Sequence, residues 1–118
     1  MFGKNDKKGE RSQGDQRRLS EIKSLTRALV QIARQGGCNV TDFKRLSGGD
    51  PMPVLAIRRA QQALIKCIRS AAFSGLNSDE IRTEGIEAVI LSDTVVMGDV
   101  AHFAMVEVGT TINDLVTR

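Results

Sequence analysis

The residues that could perform acid–base, metal or nucleophilic chemistry are few and scattered. His102 is the only histidine, and the carboxylates near it in the sequence are Asp93, Asp99 and Glu107. A zinc site needs several His or Cys ligands at short spacing, and a catalytic triad needs a nucleophile with a base and an orienting acid. Neither arrangement is recognisable. We therefore expect no enzyme activity, no metal and no cofactor, and no small-molecule substrate is evident.

The cysteines and glycines also favour no specific chemistry. Cys38 and Cys67 lie far apart, each in apolar surroundings. A disulfide framework in so small a chain needs more cysteines, so we expect two reduced, partly buried thiols. The glycine-rich pieces at 36–37 and 47–50 lack the Gly-Lys-Ser/Thr ending of a phosphate-binding loop.

The charges of the chain are unevenly distributed. Residues 1–69 contain 15 Lys/Arg and 6 Asp/Glu, a net charge of +9, and residues 70–118 contain 2 and 8, a net charge of −6; together they give the formal +3 of the chain. Such asymmetry indicates either an anionic partner for the first half, or two halves that complement each other within one chain or between subunits.

Six of the cations form a candidate patch for an anion, a nucleic acid or another partner: Lys44, Arg45, Arg58, Arg59, Lys66 and Arg69. Phosphate contacts from such side chains give affinity that falls with salt and carries no sequence information. The alternative is a solvated helix face, or one paired with the acidic second half.

Two windows, 33–43 and 71–81, have the small residue, the turn glycine and the apolar residue of a helix-turn-helix. The second helix of the first window would be short. In the second window it would carry Asp79, Glu80 and Glu84, which phosphate would repel, so we do not expect this window to read DNA.

Two amphipathic helices are predicted, and the second carries four of the six patch cations. The first is predicted over 16–35, with Asp15 as its N-cap and an apolar stripe of Leu19, Ile22, Leu25, Leu29 and Ile32. The second is predicted over 53–74 and ends at Gly75, where a left-handed cap is typical. Its apolar face is Ile57, Ala60, Leu64, Ile65, Ile68 and Ala72.

The region after Gly75 begins with a helix-start pattern and then becomes ambiguous. Asn77 and Glu80 have the spacing of a capping box. Residues 91–108 are rich in Val and Thr, and the glycine at 98 could form a hairpin turn, yet the same residues also fit helices separated by that glycine. We predict a mainly α domain of three to five helices, with an α+β fold and a hairpin around 91–108 as the alternative.

The two ends of the chain differ in composition. Residues 1–15 are polar and predict a flexible basic tail, which leaves 16–118 as a single globular domain. The C-terminal half has more apolar residues than one small helix face can bury. One interpretation is an oligomer or partner surface, and the other is that these residues form the core with the first two helices. The candidate surface residues are Val96, Val100, Phe103, Met105 and Val108.

No stretch has the length and apolarity of a membrane span, and the first residues lack the apolar core of a secretory signal, so a cytoplasmic location is expected. Our main hypothesis is a non-enzymatic protein-interaction module, such as an adaptor, a chaperone or an assembly subunit, that self-associates through its apolar C-terminal half. The alternative hypothesis is a small nucleic-acid-binding regulator or accessory factor that uses the basic N-terminal half.

Overall fold

A computed structural model of the chain describes residues 12–35, 40–41, 52–92 and 98–116. Within these ranges the regular elements are four helices and no strand, which confirms the predicted mainly α fold. Helix α3 has α-helical ends, Ser78–Glu80 and Ala88–Ser92, around a π-helical middle, Ile81–Glu87. The other three are α1, Gln13–Gln35, α2, Met52–Phe73, and α4, Asp99–Val116.

Helix α4 distinguishes between the helical prediction and the hairpin prediction for the C-terminal half. Its buried residues follow the i, i+1, i+4, i+5, i+8 and i+12 pattern of one helix face and not the alternation of a strand: Val100, Ala101, Ala104, Met105, Val108 and Ile112. The alternative of a hairpin around 91–108 is therefore wrong for residues 99–108, which belong to α4. Residues 93–97 lie outside the described ranges.

Helix α1 begins earlier than its pattern predicts. The backbone N–H of Asp15 donates to the Ser12 hydroxyl at 3.0 Å, so Ser12 is the capping residue and Asp15 lies in the first turn. A carboxylate is favourable there because it faces the positive end of the helix dipole. Residues 13–15, predicted to belong to the tail, are therefore helical, and residues 1–11 lie outside the described ranges.

Helix α2 ends as predicted at a left-handed glycine. Gly75 has φ +117°, its N–H donates to Ala72 O, and the N–H of Leu76 donates to Ala71 O, both at 3.1 Å. This pair of hydrogen bonds is the Schellman motif, and the burial of Leu76 supplies the apolar contact that accompanies it. The chain then enters α3 through the predicted capping box: Glu80 N–H donates to Asn77 Oδ1 at 2.8 Å, and Asn77 N–H donates to Glu80 Oε1 at 3.2 Å.

One buried core extends over all four helices. The Cys67 thiol of α2 lies 3.4 Å from a Glu21 carboxylate oxygen of α1. Arg82, near the start of α3, donates to Asn113, near the end of α4, at 2.8 Å. We call the first two helices in the sequence the α1–α2 pair and the last two the α3–α4 pair.

The two pairs meet closely at Gly85, in the π-helical part of α3. A Cβ atom at this buried position would lie 2.8 Å from Ile22 Cγ2 of α1. Only glycine allows the helices to approach this closely. Between α1 and α2 the structure describes only Val40 and Thr41, which are helical.

Candidate interaction surfaces

Arg58, one of the predicted patch residues, pairs with the acidic half of the same chain. Its Nη1 lies 2.9 Å from Glu107 Oε1 of α4 and 3.0 Å from Gln61 Oε1 of α2. The amide of Gln61 donates to the same Glu107 oxygen at 2.7 Å and to the backbone oxygen of Ala104 at 3.1 Å. Gln61 is only 3% exposed, so its polar atoms need these partners. Arg58 is thus part of the contact between α2 and α4.

The other described patch residues lie on the outer face of α2. Arg59, Lys66 and Arg69 are exposed, and among the described residues no carboxylate forms an ion pair with them. Lys44 and Arg45 lie outside the described ranges. A shallow depression of about 410 Å³ follows this face beside Gln62, Ala63, Ile65, Lys66 and Arg69.

Five exposed residues form a continuous line along this face, spaced by three, four, three and four positions: Arg59, Gln62, Lys66, Arg69 and Phe73. This spacing keeps side chains on one side of a helix. We call this line the α2 stripe. It is cationic along most of its length and ends in an aromatic ring.

The residues predicted to form an oligomer surface are mostly interior. Val100, Met105 and Val108 are buried in the core of the chain, and Phe103 is partly buried against it. Val96 lies outside the described residues. The physical reason is that α4 contacts α1, α2 and α3, so it buries more than one face. Of these four described residues, Met105 also lines an opening at the surface, so an interaction surface on this half would use Met105 together with residues outside the predicted set.

A groove between α3 and α4 supplies such a surface. It has a volume of about 310 Å³, and its apolar lining consists of Ile86, Ile90, Met105, Val106, Gly109 and Ile112. Three further lining residues, Arg82, Glu87 and His102, are polar. We call this site the α3–α4 groove.

Two large apolar side chains of these helices face water. Val106, which lines the groove, is 51% exposed, and Leu91, near the end of α3, is 81% exposed. Sequence reasoning missed both because they lie off the buried stripes of their helices. The available signal was their position, as large apolar residues outside those stripes.

His102 is exposed and lines the α3–α4 groove, to which it adds a polar group. Among the described residues no three His, Cys, Asp or Glu side chains converge as metal ligands.

Cys67 is a free, buried thiol with a weak nucleophilic character. Burial, followed by the hydrogen bond to Glu21 and the negative charge of that carboxylate, raises the pKa of the Cys67 thiol from 9.0 to about 12, while Arg18 acts in the opposite direction. The thiolate is the reactive form, so this cysteine is suited to packing and not to attack on a substrate. Cys38 lies outside the described residues.

The charge asymmetry of the sequence becomes an asymmetry between the two helix pairs. Helices α1 and α2 together carry nine Lys/Arg and two Asp/Glu, a net charge of +7, whereas α3 and α4 carry one Arg and seven Asp/Glu, a net charge of −6. The α2 stripe lies on the cationic pair, and the α3–α4 groove lies within the anionic pair.

In comparisons with protein-family models, with curated proteins and with solved structures, no match to this chain is found. None of the described helices has the length and apolarity required to cross a bilayer.

Proposed function

We propose that this chain is a non-enzymatic protein-interaction module that self-associates through the α3–α4 groove. The observation that carries the proposal is the apolar lining of this groove, in which Val106 is exposed to water. Burying a side chain of this size removes about 1.5–3 kcal/mol of unfavourable hydration, which drives association once it exceeds the entropy that is lost.

The polar residues around the groove are consistent with such a contact. Arg82 donates to Asn113 and lies 3.6 Å from Asp79, so its charge is already balanced by its own chain. Glu87 and His102 supply a charged and a polar edge. An apolar centre with a polar edge is the usual arrangement of a reversible protein interface.

Light scattering of the purified chain over a range of concentrations tests the proposal. We expect a mass above the 12.8 kDa of one chain that rises with concentration. Val106→Asp should shift the protein to the monomer, because it places a charge in the apolar lining of the groove. Gln31→Asp adds the same charge to an exposed position of α1 and should leave the mass unchanged. If the wild-type chain is monomeric at every concentration, the proposal is wrong.

A second candidate function, binding of nucleic acid, is favoured by the three cations of the α2 stripe. They lack carboxylate partners among the described residues, which leaves their charges available to phosphates. For three phosphate contacts the affinity for duplex DNA should fall with a log–log salt slope of about −3. Changing Arg59, Lys66 and Arg69 to Glu should abolish binding.

The matched control for the nucleic-acid candidate is a triple change of the same total charge on α1. Arg17, Arg27 and Arg34 are exposed cations of that helix. If their replacement by Glu weakens binding as much as the α2 changes do, the effect is one of net charge and not of the α2 stripe. If the chain does not bind duplex DNA at low salt, this candidate function is wrong.

A further inference from the structure

We propose that the α3–α4 groove receives Phe73 of a second copy of this chain, so that the α2 stripe of one copy lies against the groove of the next. This inference rests on the proposed function, because it names the occupant of the groove through which the chain is proposed to associate.

Phe73 is the most exposed large apolar side chain among the described residues. It is 95% exposed at the end of α2 and continues the α2 stripe four positions after Arg69. A phenylalanine ring buries roughly 150–250 Å² when it is covered, and aromatic anchors that enter a partner's pocket dominate many interfaces. An isolated chain leaves this ring in water.

The α3–α4 groove has the size and chemistry to accept a phenyl ring. Its volume is about 310 Å³, whereas an apolar cavity of about 150 Å³ holds benzene. Met105 in its lining is a flexible thioether that packs well against aromatic rings. At Gly109 no atom lies within 4 Å of where a Cβ would stand, so the space beside α4 is open at that position.

The charges of the two helix pairs are complementary. Phe73 lies on the pair with a net charge of +7, next to Lys66 and Arg69, and the groove lies within the pair with a net charge of −6. The groove lining itself has one carboxylate, Glu87, and one cation, Arg82, which pairs with Asp79. If the α1–α2 pairs of two copies faced each other, or their α3–α4 pairs did, charges of the same sign would meet. Opposite charges speed the encounter and orient it, so they favour contact between unlike surfaces.

Contact between two different surfaces has a consequence for assembly. Each copy uses its Phe73 on one neighbour and its groove on another, so the association is heterologous. Such copies form open chains or, where the rotation between them closes, rings. A two-fold dimer, in which identical surfaces meet, would use the groove twice and leave both Phe73 rings exposed.

Two variants that each lose one of the two surfaces test this arrangement. Phe73→Asp keeps the groove, and Val106→Asp keeps Phe73; both positions are exposed, and helical circular dichroism with urea unfolding checks that each variant folds. We expect each variant alone to be monomeric by light scattering. An equal mixture should form a heterodimer of twice the 12.8 kDa chain mass, since one intact ring meets one intact groove.

The outcomes separate this inference from the proposed function. If Phe73→Asp associates as the wild type does, Phe73 is not the occupant and the inference fails, while self-association stands. If both variants are monomeric and their mixture stays monomeric, the head-to-tail arrangement is again excluded. If the wild type never associates, both proposals fail. Phe73→Leu, which keeps an apolar side chain, should weaken association by less than tenfold, whereas Phe73→Asp should weaken it by at least a hundredfold.

Discussion

Arg58 and Glu107 lie 49 positions apart in the sequence and meet at 2.9 Å between Nη1 and Oε1. This ion pair joins the cationic α1–α2 pair to the anionic α3–α4 pair. The buried amide of Gln61 donates to the same carboxylate, so Glu107 satisfies two donors of α2 at once. Part of the attraction between the oppositely charged halves therefore acts within one chain.

The first prediction concerns this carboxylate. Glu107→Ala should lower the free energy of unfolding by about 1–3 kcal/mol, because it deprives Arg58 and the buried Gln61 of a charged acceptor. Urea unfolding at a concentration where the chain is monomeric measures this change. Glu87→Ala, for which no described residue supplies a hydrogen bond or ion pair, is the control and should stay within about 0.5 kcal/mol of the wild type. Equal effects of the two changes would contradict the assigned role of Glu107.

The second prediction compares two glycines within helices. Gly85→Ala should destabilise the chain by about 1–3 kcal/mol, since its Cβ would lie 2.8 Å from Ile22 Cγ2. Gly109→Ala meets no atom within 4 Å and should stabilise it by about 0.5–1 kcal/mol, the ordinary gain of alanine over glycine in a helix. Thermal unfolding of both variants reports the difference. Two shifts in the same direction would show that α1 and α3 do not approach as closely as described.

The third prediction concerns the reactivity of Cys67. In a Cys38→Ser background, alkylation of Cys67 in the folded chain should be slow at pH 8, because its thiol has a pKa of about 12 and burial limits access. Glu21→Gln should speed the reaction, since it removes the carboxylate that opposes the thiolate. Arg18→Gln should slow it, since Arg18 favours the thiolate. Rates that change in the same direction in both variants would contradict this account of the pKa.

The raised pKa of Cys67 also predicts how stability depends on pH. Since the folded thiol has the higher pKa, the unfolded chain releases the Cys67 proton first as the pH rises above 9. The contribution of this thiol to stability is therefore complete below pH 9 and is lost as the pH rises from 9 toward 12. Comparison with Cys67→Ser, whose hydroxyl does not titrate in this range, isolates the effect by urea unfolding at pH 8 and pH 10.

The fourth prediction concerns the start of α3. Asn77→Ala should cost about 1 kcal/mol of unfolding free energy, because the N–H of Glu80 loses its acceptor at the helix terminus. Asn77→Ser should recover most of this loss, since a serine hydroxyl accepts the same hydrogen bond. If Ser and Ala variants are equally unstable by thermal unfolding, the side-chain cap does not stabilise this end of α3.

Features set by neighbouring residues could be predicted from the sequence. The left-handed Gly75 and the capping box of Asn77 and Glu80 were predicted correctly, since each depends on a few adjacent residues. The start of α1 was missed because Ser12 and Asp15 are both good N-caps, and the choice depends on where the chain turns. The run 91–108 fits a helix and a hairpin equally by composition; its burial against the other helices decides for the helix over 99–108.

The candidate surfaces were harder to predict because they depend on contacts between distant residues. No local pattern links Arg58 to Glu107, so the sequence could not show that one member of the cationic patch is paired within the chain. Burial of Val100 and Val108 follows from the number of helices around α4, which periodicity does not reveal. Phe73 is an exception. It lies off the apolar stripe of α2, and helical spacing alone places it on the cationic face.

Self-association through the α3–α4 groove is tested most directly by the light-scattering mass of the wild-type chain over a concentration series, with and without duplex DNA, at low and high salt. In the absence of DNA the mass should rise above 12.8 kDa with concentration. A mass of one chain at every concentration without DNA, together with a complex that forms only when DNA is added at low salt, would contradict it.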